Sequence, residues 1–203
     1  MGLNRDINLT LQDYETQLKR SFTYIKAIKS QNIEIFSASP VRIRKQKEIQ
    51  YYEIGASNIT DSGIIIVNRG DRLKKSANET SFNRQHLRVG DVVVSFRTKP
   101  TFGVIIENPQ IAFIANTSMI ILRTNSKLHS ANLYAFFNQD FVYEYLKSLI
   151  STSDKNALSV DMLEKLLIPD LQYYNSDKSL MIMQKISLHY KEIKILSQTL
   201  GSI

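Results

Sequence analysis

Histidine is the side chain most often used to move protons or hold a metal near neutral pH, and this chain has three: His86, His129 and His189. They lie on unrelated segments. None has the His-Glu-x-x-His spacing that sets two imidazoles on one helix face around zinc. His189 stands beside a seam position of a helical pattern, which makes it a flank rather than a ligand. Cys is absent, so there is neither a disulfide framework nor a thiolate metal site. The chain also lacks the GxxxxGKS/T loop that cradles phosphates, the GxGxxG turn of dinucleotide-binding folds and the GxSxG nucleophile elbow. An enzyme methylating adenine would need a Gly-rich cofactor loop and an Asn/Asp-Pro-Pro-Tyr/Phe motif, and neither is present.

One acidic pattern does spell a known chemistry. Pro169-Asp170 followed by Glu192-Ile193-Lys194 fits the loose PD…ExK form of Mg-dependent nucleases. That reaction needs two carboxylates and a lysine converging on the metal. Ile193 occupies the seam of a helical pattern, so Glu192 and Lys194 flank it and splay apart. A stand-alone Mg-dependent nuclease is the alternative that this pattern would require.

The cations are more informative. The net charge is +7, and between residues 42 and 99 twelve Lys/Arg stand against six Asp/Glu, which accounts for nearly all of it. Arg42-Ile43-Arg44-Lys45-Gln46-Lys47 is dense and polar, and Arg69-Gly70-Asp71-Arg72-Leu73-Lys74-Lys75 follows an apolar run. Arg84, Arg88, Arg97 and Lys99 come later, with Asn83, Gln85 and Thr98 among them. Nucleic-acid surfaces combine cations that meet phosphates with Arg, Asn, Gln and Ser/Thr side chains that reach base edges. The residues expected to contact DNA are Arg69, Lys74, Lys75, Arg84, Arg97, Thr98 and Lys99. Arg97-Thr98-Lys99-Pro100 reads as a proline-stiffened loop between two strands, and Gly90-Asp91 as the turn that starts the first of them.

The elements that must position these residues follow from periodicity. Leu11, Tyr14, Leu18, Ser21, Ile25 and Ile28 recur at alternating spacings of about 3 and 4, a helical seam, and Thr10-Leu11-Gln12-Asp13 resembles a capping box before it. Met183, Ile186, Tyr190, Ile193, Ser197 and Leu200 repeat that seam near the other end. Between them the period changes. Ile33–Phe36, Gln50–Ile54, Gly63–Val67, Asp91–Phe96, Gly103–Ile106, Ile111–Ile114 and Ser118–Leu122 are short runs rich in Ile, Val, Phe and Tyr, the composition of strands. Leu133, Phe136, Phe137, Phe141, Tyr145 and Leu149 then make an aromatic helix face, and Met162 to Leu167 a shorter helix stopped by Ile168-Pro169. The fold class is α+β, divided as an amphipathic helix at 1–30, a strand-rich domain at 31–169 and a further helix at 170–203. Leu18, Ile25, Met183, Ile186, Tyr190 and Ile193 are the seam residues expected to pair with each other within the chain, with a second copy or with a partner's helices. The N-terminus shows no apolar stretch of a secretory signal, and no run approaches the ~18 residues of a membrane span. With no Cys, this gives a cytoplasmic expectation.

The order of the middle elements resembles a family. Tyr51-Tyr52-Glu53-Ile54-Gly55 followed by Gly63, then Leu87-Arg88-Val89-Gly90-Asp91-Val92-Val93-Val94-Ser95, then Ala115 to Leu122-Arg123, then Leu133-Tyr134-Ala135-Phe136-Phe137, then Leu158-Ser159 with Leu163, Leu166 and Ile168-Pro169, resemble successive elements of one domain. That domain is the target-recognition domain of specificity (S) subunits of type I restriction-modification systems. A full S subunit carries two such domains separated by long helices, whereas this chain has one, so it resembles a half-subunit. The resemblance implies a non-catalytic, sequence-specific DNA-recognition subunit that directs a methyltransferase and restriction complex to a bipartite site. It implies double-stranded DNA, a modification (methyltransferase) subunit and a restriction subunit as partners, a homodimer, and no cofactor of its own. S-adenosylmethionine, ATP and Mg²⁺ would belong to those partners. A protein-only coiled-coil dimerisation module is the third reading.

Overall fold

The run Val92-Val93-Val94 organises the molecule. The computed structural model describes residues 9–40, 49–68, 70–76, 79–95, 99–105, 109, 111–174 and ten positions between 177 and 192. The chain passes in order through α1 (Leu11–Ser21), β1 (Ile25–Ala27), β2 (Glu34–Ser37), β3 (Ile49–Ile54), β4 (Lys74–Ser76), α2 (Glu79–Gln85) and β5 (Asp91–Ser95). It continues through β6 (Thr101–Val104), β7 (Ala112–Ala115), β8 (Met119–Arg123), α3 (Lys127–Phe137), α4 (Asp140–Thr152), α5 (Val160–Lys165) and β9 (Leu167–Pro169). All three valines are fully buried. Val92 and Val94 enter one apolar cluster and Val93 another. Successive strand side chains point to opposite faces, so β5 must be covered on both sides.

The cover is built accordingly. β5 lies inside an antiparallel sheet ordered β2-β8-β5-β6. Its first face receives Tyr14 and Leu18 of α1, Leu133, Phe136 and Phe137 of α3, Val142 and Leu146 of α4 and Leu163 of α5. Its second face receives Ile54, Phe113 and Ala115 from a second sheet ordered β4-β3-β7. On the far side of that second sheet, Tyr51 and Ile114 meet Phe82 of α2. The layers therefore run helices, four-stranded sheet, three-stranded sheet, α2. Each fully buried Val, Leu or Phe contributes about 1.5–3 kcal/mol by leaving water, so the doubly covered sheet is the stable centre of the fold. Among the described residues no helix is long and apolar enough to cross a membrane.

The first helix begins as its sequence predicts and ends earlier. Thr10 Oγ1 accepts from the Asp13 N–H at 3.2 Å, and Asp13 Oδ2 accepts from the Thr10 N–H at 3.1 Å, closing the capping box. The seam was expected to continue through Ile25 and Ile28. Instead Phe22 is extended and Ile25 lies on β1, paired with Pro169 of β9. Phe22-Thr23-Tyr24-Ile25 is a run of aromatic and β-branched residues that favours extended backbone. The hydrogen bonds offered by β9 decide the matter, including Asp170 N–H to Tyr24 O at 2.9 Å. Leu18 is fully buried in the chain's own core, and the Tyr14 hydroxyl donates to Leu167 O. Met183 is helical and packs its partly buried side chain on the same core, whereas Ile186, Tyr190 and Ile193 lie outside the described residues.

Two other expectations are corrected. The Gly63–Val67 run forms no strand beyond a single bridge from Ile65 to Ile59. Gly63 adopts φ 75°, which side chains other than glycine's rarely tolerate, and a Cβ there would stand 2.3 Å from the Tyr134 ring. The aromatic helix is two helices. The Asn138 side chain donates to Tyr134 O at 2.8 Å, and the Gln139 N–H turns back to Phe136 O at 3.0 Å. Asn offers the backbone such local bonds in place of the next helical turn.

Candidate DNA-binding surface

Asp91 and Arg123 close one end of the four-stranded sheet, where β5 starts and β8 ends opposite each other. Asp91 is fully buried. Arg123 grips it with a fork, Nε to Oδ1 at 2.8 Å and Nη2 to Oδ2 at 2.9 Å. The Arg88 N–H adds a third bond to Oδ2 at 2.8 Å, so the carboxylate also ties the turn before β5. Arg123 spends two further donors on Arg84 O at 3.3 Å and His86 O at 2.9 Å. Gly90, at φ 99°, completes the turn. Its carbonyl accepts from the Thr124 and Ser130 hydroxyls at 3.1 and 2.9 Å. Gly90-Asp91 is thus an internal clamp. A sequence separation of 32 residues hid its partner, though both residues stand in the elements that carry the family resemblance.

The predicted DNA contacts divide among three places. Lys74 is exposed on β4 at the edge of the second sheet, and its ammonium pairs with Glu53 of β3. Lys75 is on the same strand, opposite Gln50. Arg84 is exposed in the last turn of α2, its guanidinium carbon 5.5 Å from the centroid of the Phe36 ring. Lys99 is exposed in the β5–β6 connection, at the end of the sheet away from Asp91. Arg69, Arg97 and Thr98 lie outside the described residues. Sequence reasoning missed Phe36 as a platform. Arg123 approaches the same ring at 5.2 Å, and no periodicity signals such a meeting between β2, α2 and β8.

The titratable groups near these elements have structural partners. His86 stacks on Phe82 at 5.4 Å and its ring is half-buried. Burial holds its pKa below the ordinary histidine value, and the cations of Arg88 and Arg123 push the same way. The acid of the PD…ExK pattern is engaged as well. Asp170 pairs with Lys26 of β1 at 2.5 Å, and that hydrogen bond holds its carboxyl below the usual carboxylate range. Glu192 is exposed at a helical position and Lys194 lies outside the described residues. Among the described residues no group of three or more His, Asp or Glu side chains is placed to hold a metal ion.

With that geometry in place, known structures offer a comparison. The chain is similar to type I restriction-modification proteins. One, from a structure addressing complex assembly and conformational transition of the type I R-M system, is 16% identical, with 93% of this chain and 46% of that one covered at a TM-score of 0.49. The S subunit from M. genitalium is 14% identical, with 95% and 47% covered at 0.48. The HsdS subunit from Thermoanaerobacter tengcongensis is 14% identical, with 92% and 44% covered at 0.45. The chain thus spans slightly under half the length of the structures it matches. No protein-family model matches it, and no curated relative does.

Proposed function

We propose that this chain is a non-catalytic DNA-recognition subunit of the type I specificity kind, equivalent to half of a two-domain subunit. What supports the reading most is the placement of charge on the ordered family-like elements. Of the six acids between residues 42 and 99, Glu53 is spent on Lys74, Asp71 on Asn58 and the Asn68 N–H, and Asp91 on Arg123. Among the described residues of the same stretch, the cations Arg72, Lys74, Arg84, Arg88 and Lys99 are exposed. Two packed sheets with cations on β4, α2 and the β5–β6 connection suit a surface that must hold phosphates in register while loops read sequence.

On this reading the chain delivers a methyltransferase subunit, and with it a restriction subunit, to one half of a bipartite site. Two copies related by a two-fold axis would present the same surface twice and read a symmetric interrupted sequence. Arg69, Lys74, Lys75, Arg84, Arg97, Thr98 and Lys99 are the proposed DNA contacts. Ile186, Tyr190 and Ile193 are proposed to face the second copy or the partner's helices.

The test is a filter-binding titration on duplex DNA at two salt concentrations, with and without a candidate modification subunit. Affinity should fall as salt rises, because each phosphate contact releases counterions. No DNA retention under any of these conditions, or retention indifferent to salt, sinks the reading. Light scattering tests the homodimer separately.

A further inference from the structure

Three arginines gather around the end of α2, and their guanidinium groups are not equally engaged. Arg123 spends four of its five N–H donors on Asp91 and on the carbonyls of Arg84 and His86. Arg88 directs Nη2 to Asn83 O at 2.7 Å. Arg84 is exposed, and among the described residues no carboxylate pairs with it. Yet its guanidinium is held over Phe36, a ring only 5% exposed and therefore fixed by the core. The Arg84 backbone is held too, by the bond from Arg123 to its carbonyl.

That combination is unusual for a surface arginine. A phosphate can be met by a mobile cation from many directions. Reading a base edge requires the planar fork to arrive in one orientation, so that two N–H groups meet the O6 and N7 acceptors of guanine together. An aromatic face under the guanidinium supplies that orientation while leaving its outward N–H groups unspent.

We propose that Arg84 is a base-reading residue for guanine in the major groove, and that Phe36 is the positioning residue that holds its guanidinium in register. The proposal rests on the reading that the chain binds DNA. It assigns different work to Arg84 than to Lys74 and Lys99, which as point charges suit phosphates. Gln85 fits the same arrangement. Its side-chain carbonyl accepts from the Ser39 N–H at 2.6 Å, tying the end of α2 to the chain that follows the Phe36 strand.

The test is selection from a pool of duplexes with randomised positions, using the full chain together with its modification subunit, followed by binding titrations on the selected sequence and its single-base variants at two salt concentrations. The wild type should select a guanine at one position of each half-site. Arg84→Ala and Arg84→Lys should both lose that preference, by roughly 5- to 150-fold, and keep the others. Their salt slope should stay that of the wild type. Phe36→Leu should weaken the same preference while Phe36→Tyr, which keeps the aromatic face, restores it; a purely structural role for Phe36 would move stability without moving base choice. Uniform weakening on all duplexes with a salt slope reduced by about 0.9 would make Arg84 a phosphate contact and overturn the proposal. Unchanged selection by Arg84→Ala would overturn it as well. If the wild type itself binds no duplex, the DNA-recognition reading falls, a result distinct from a selective wild type whose preference survives Arg84→Ala.

Discussion

Replacing Arg123 by methionine isolates the clamp at the end of the sheet. The substitution leaves Asp91 in place, fully buried and without its fork. Breaking a buried pair by removing one partner costs about 3–5 kcal/mol, because the remaining charge is stranded. The Arg88 N–H still reaches Oδ2, which softens the loss, while the carbonyls of Arg84 and His86 lose a charged donor. We expect a loss of about 4 kcal/mol, toward the middle of that range. For a chain of this size each kcal/mol moves Tm by about 2–4 °C, so the melting temperature should fall by about 8–16 °C. Arg123→Lys should also destabilise, since one ammonium cannot serve both carboxylate oxygens and two carbonyls. The double variant Asp91→Asn/Arg123→Met should recover most of the loss, because the amide removes the stranded charge and keeps an acceptor for Arg88. Urea unfolding followed by circular dichroism measures all three. A loss below about 1 kcal/mol for Arg123→Met, or a double variant no more stable than the single, refutes the argument that an uncompensated carboxylate sets the cost.

Gly90→Ala should destabilise the same corner by an independent route. Residues with a Cβ pay roughly 1–2 kcal/mol for left-handed backbone, and the Cβ added here would stand 2.6 Å from Thr124 O; thermal melts of the variant should show a clear loss, and an unchanged Tm would mean the turn can relax. Acid should act through Asp170, whose carboxyl is held low by Lys26. Its stabilisation is present above the unfolded carboxylate value of about 3.9 and is lost as pH falls through the lower folded value. Stability of the wild type should therefore drop more steeply than that of Asp170→Asn below about pH 4.5, and parallel acid-unfolding curves would show that the pair contributes nothing.

The strands with dense apolar runs were legible because burial on both faces needs uninterrupted Val, Ile and Phe. β5 and β8 fall within a residue or two of the expected segments. The short strands β1, β4 and β9 were not, since three residues hold no periodicity and their pairing is decided by a distant partner. α2 was missed for a related reason. Glu79–Gln85 is almost wholly polar, and Phe82 is the one large apolar residue in it, set under Tyr51. At the candidate surface, the sequence located the cations but not their condition. That Lys74 is paired, that Arg123 is engaged by Asp91 and that Arg84 lies over Phe36 are facts of tertiary contact between residues distant in sequence.

The narrow β1–β9 ribbon carries a consequence for how such a chain can change over generations. It sets Ile25 beside Pro169, so the two ends of the segment between them meet at one spot. Gln31 bridges the same joint, its amide bonded to Pro169 O and the Leu171 N–H. Everything between resembles a cartridge on a two-pin socket, and α1, outside it, adds Tyr14 and Leu18 to the cartridge's core. On the proposed DNA-recognition reading, a recombination event that keeps the socket residues with Tyr14 and Leu18, and exchanges the cartridge, would give a protein with new sequence preference on an unaltered frame.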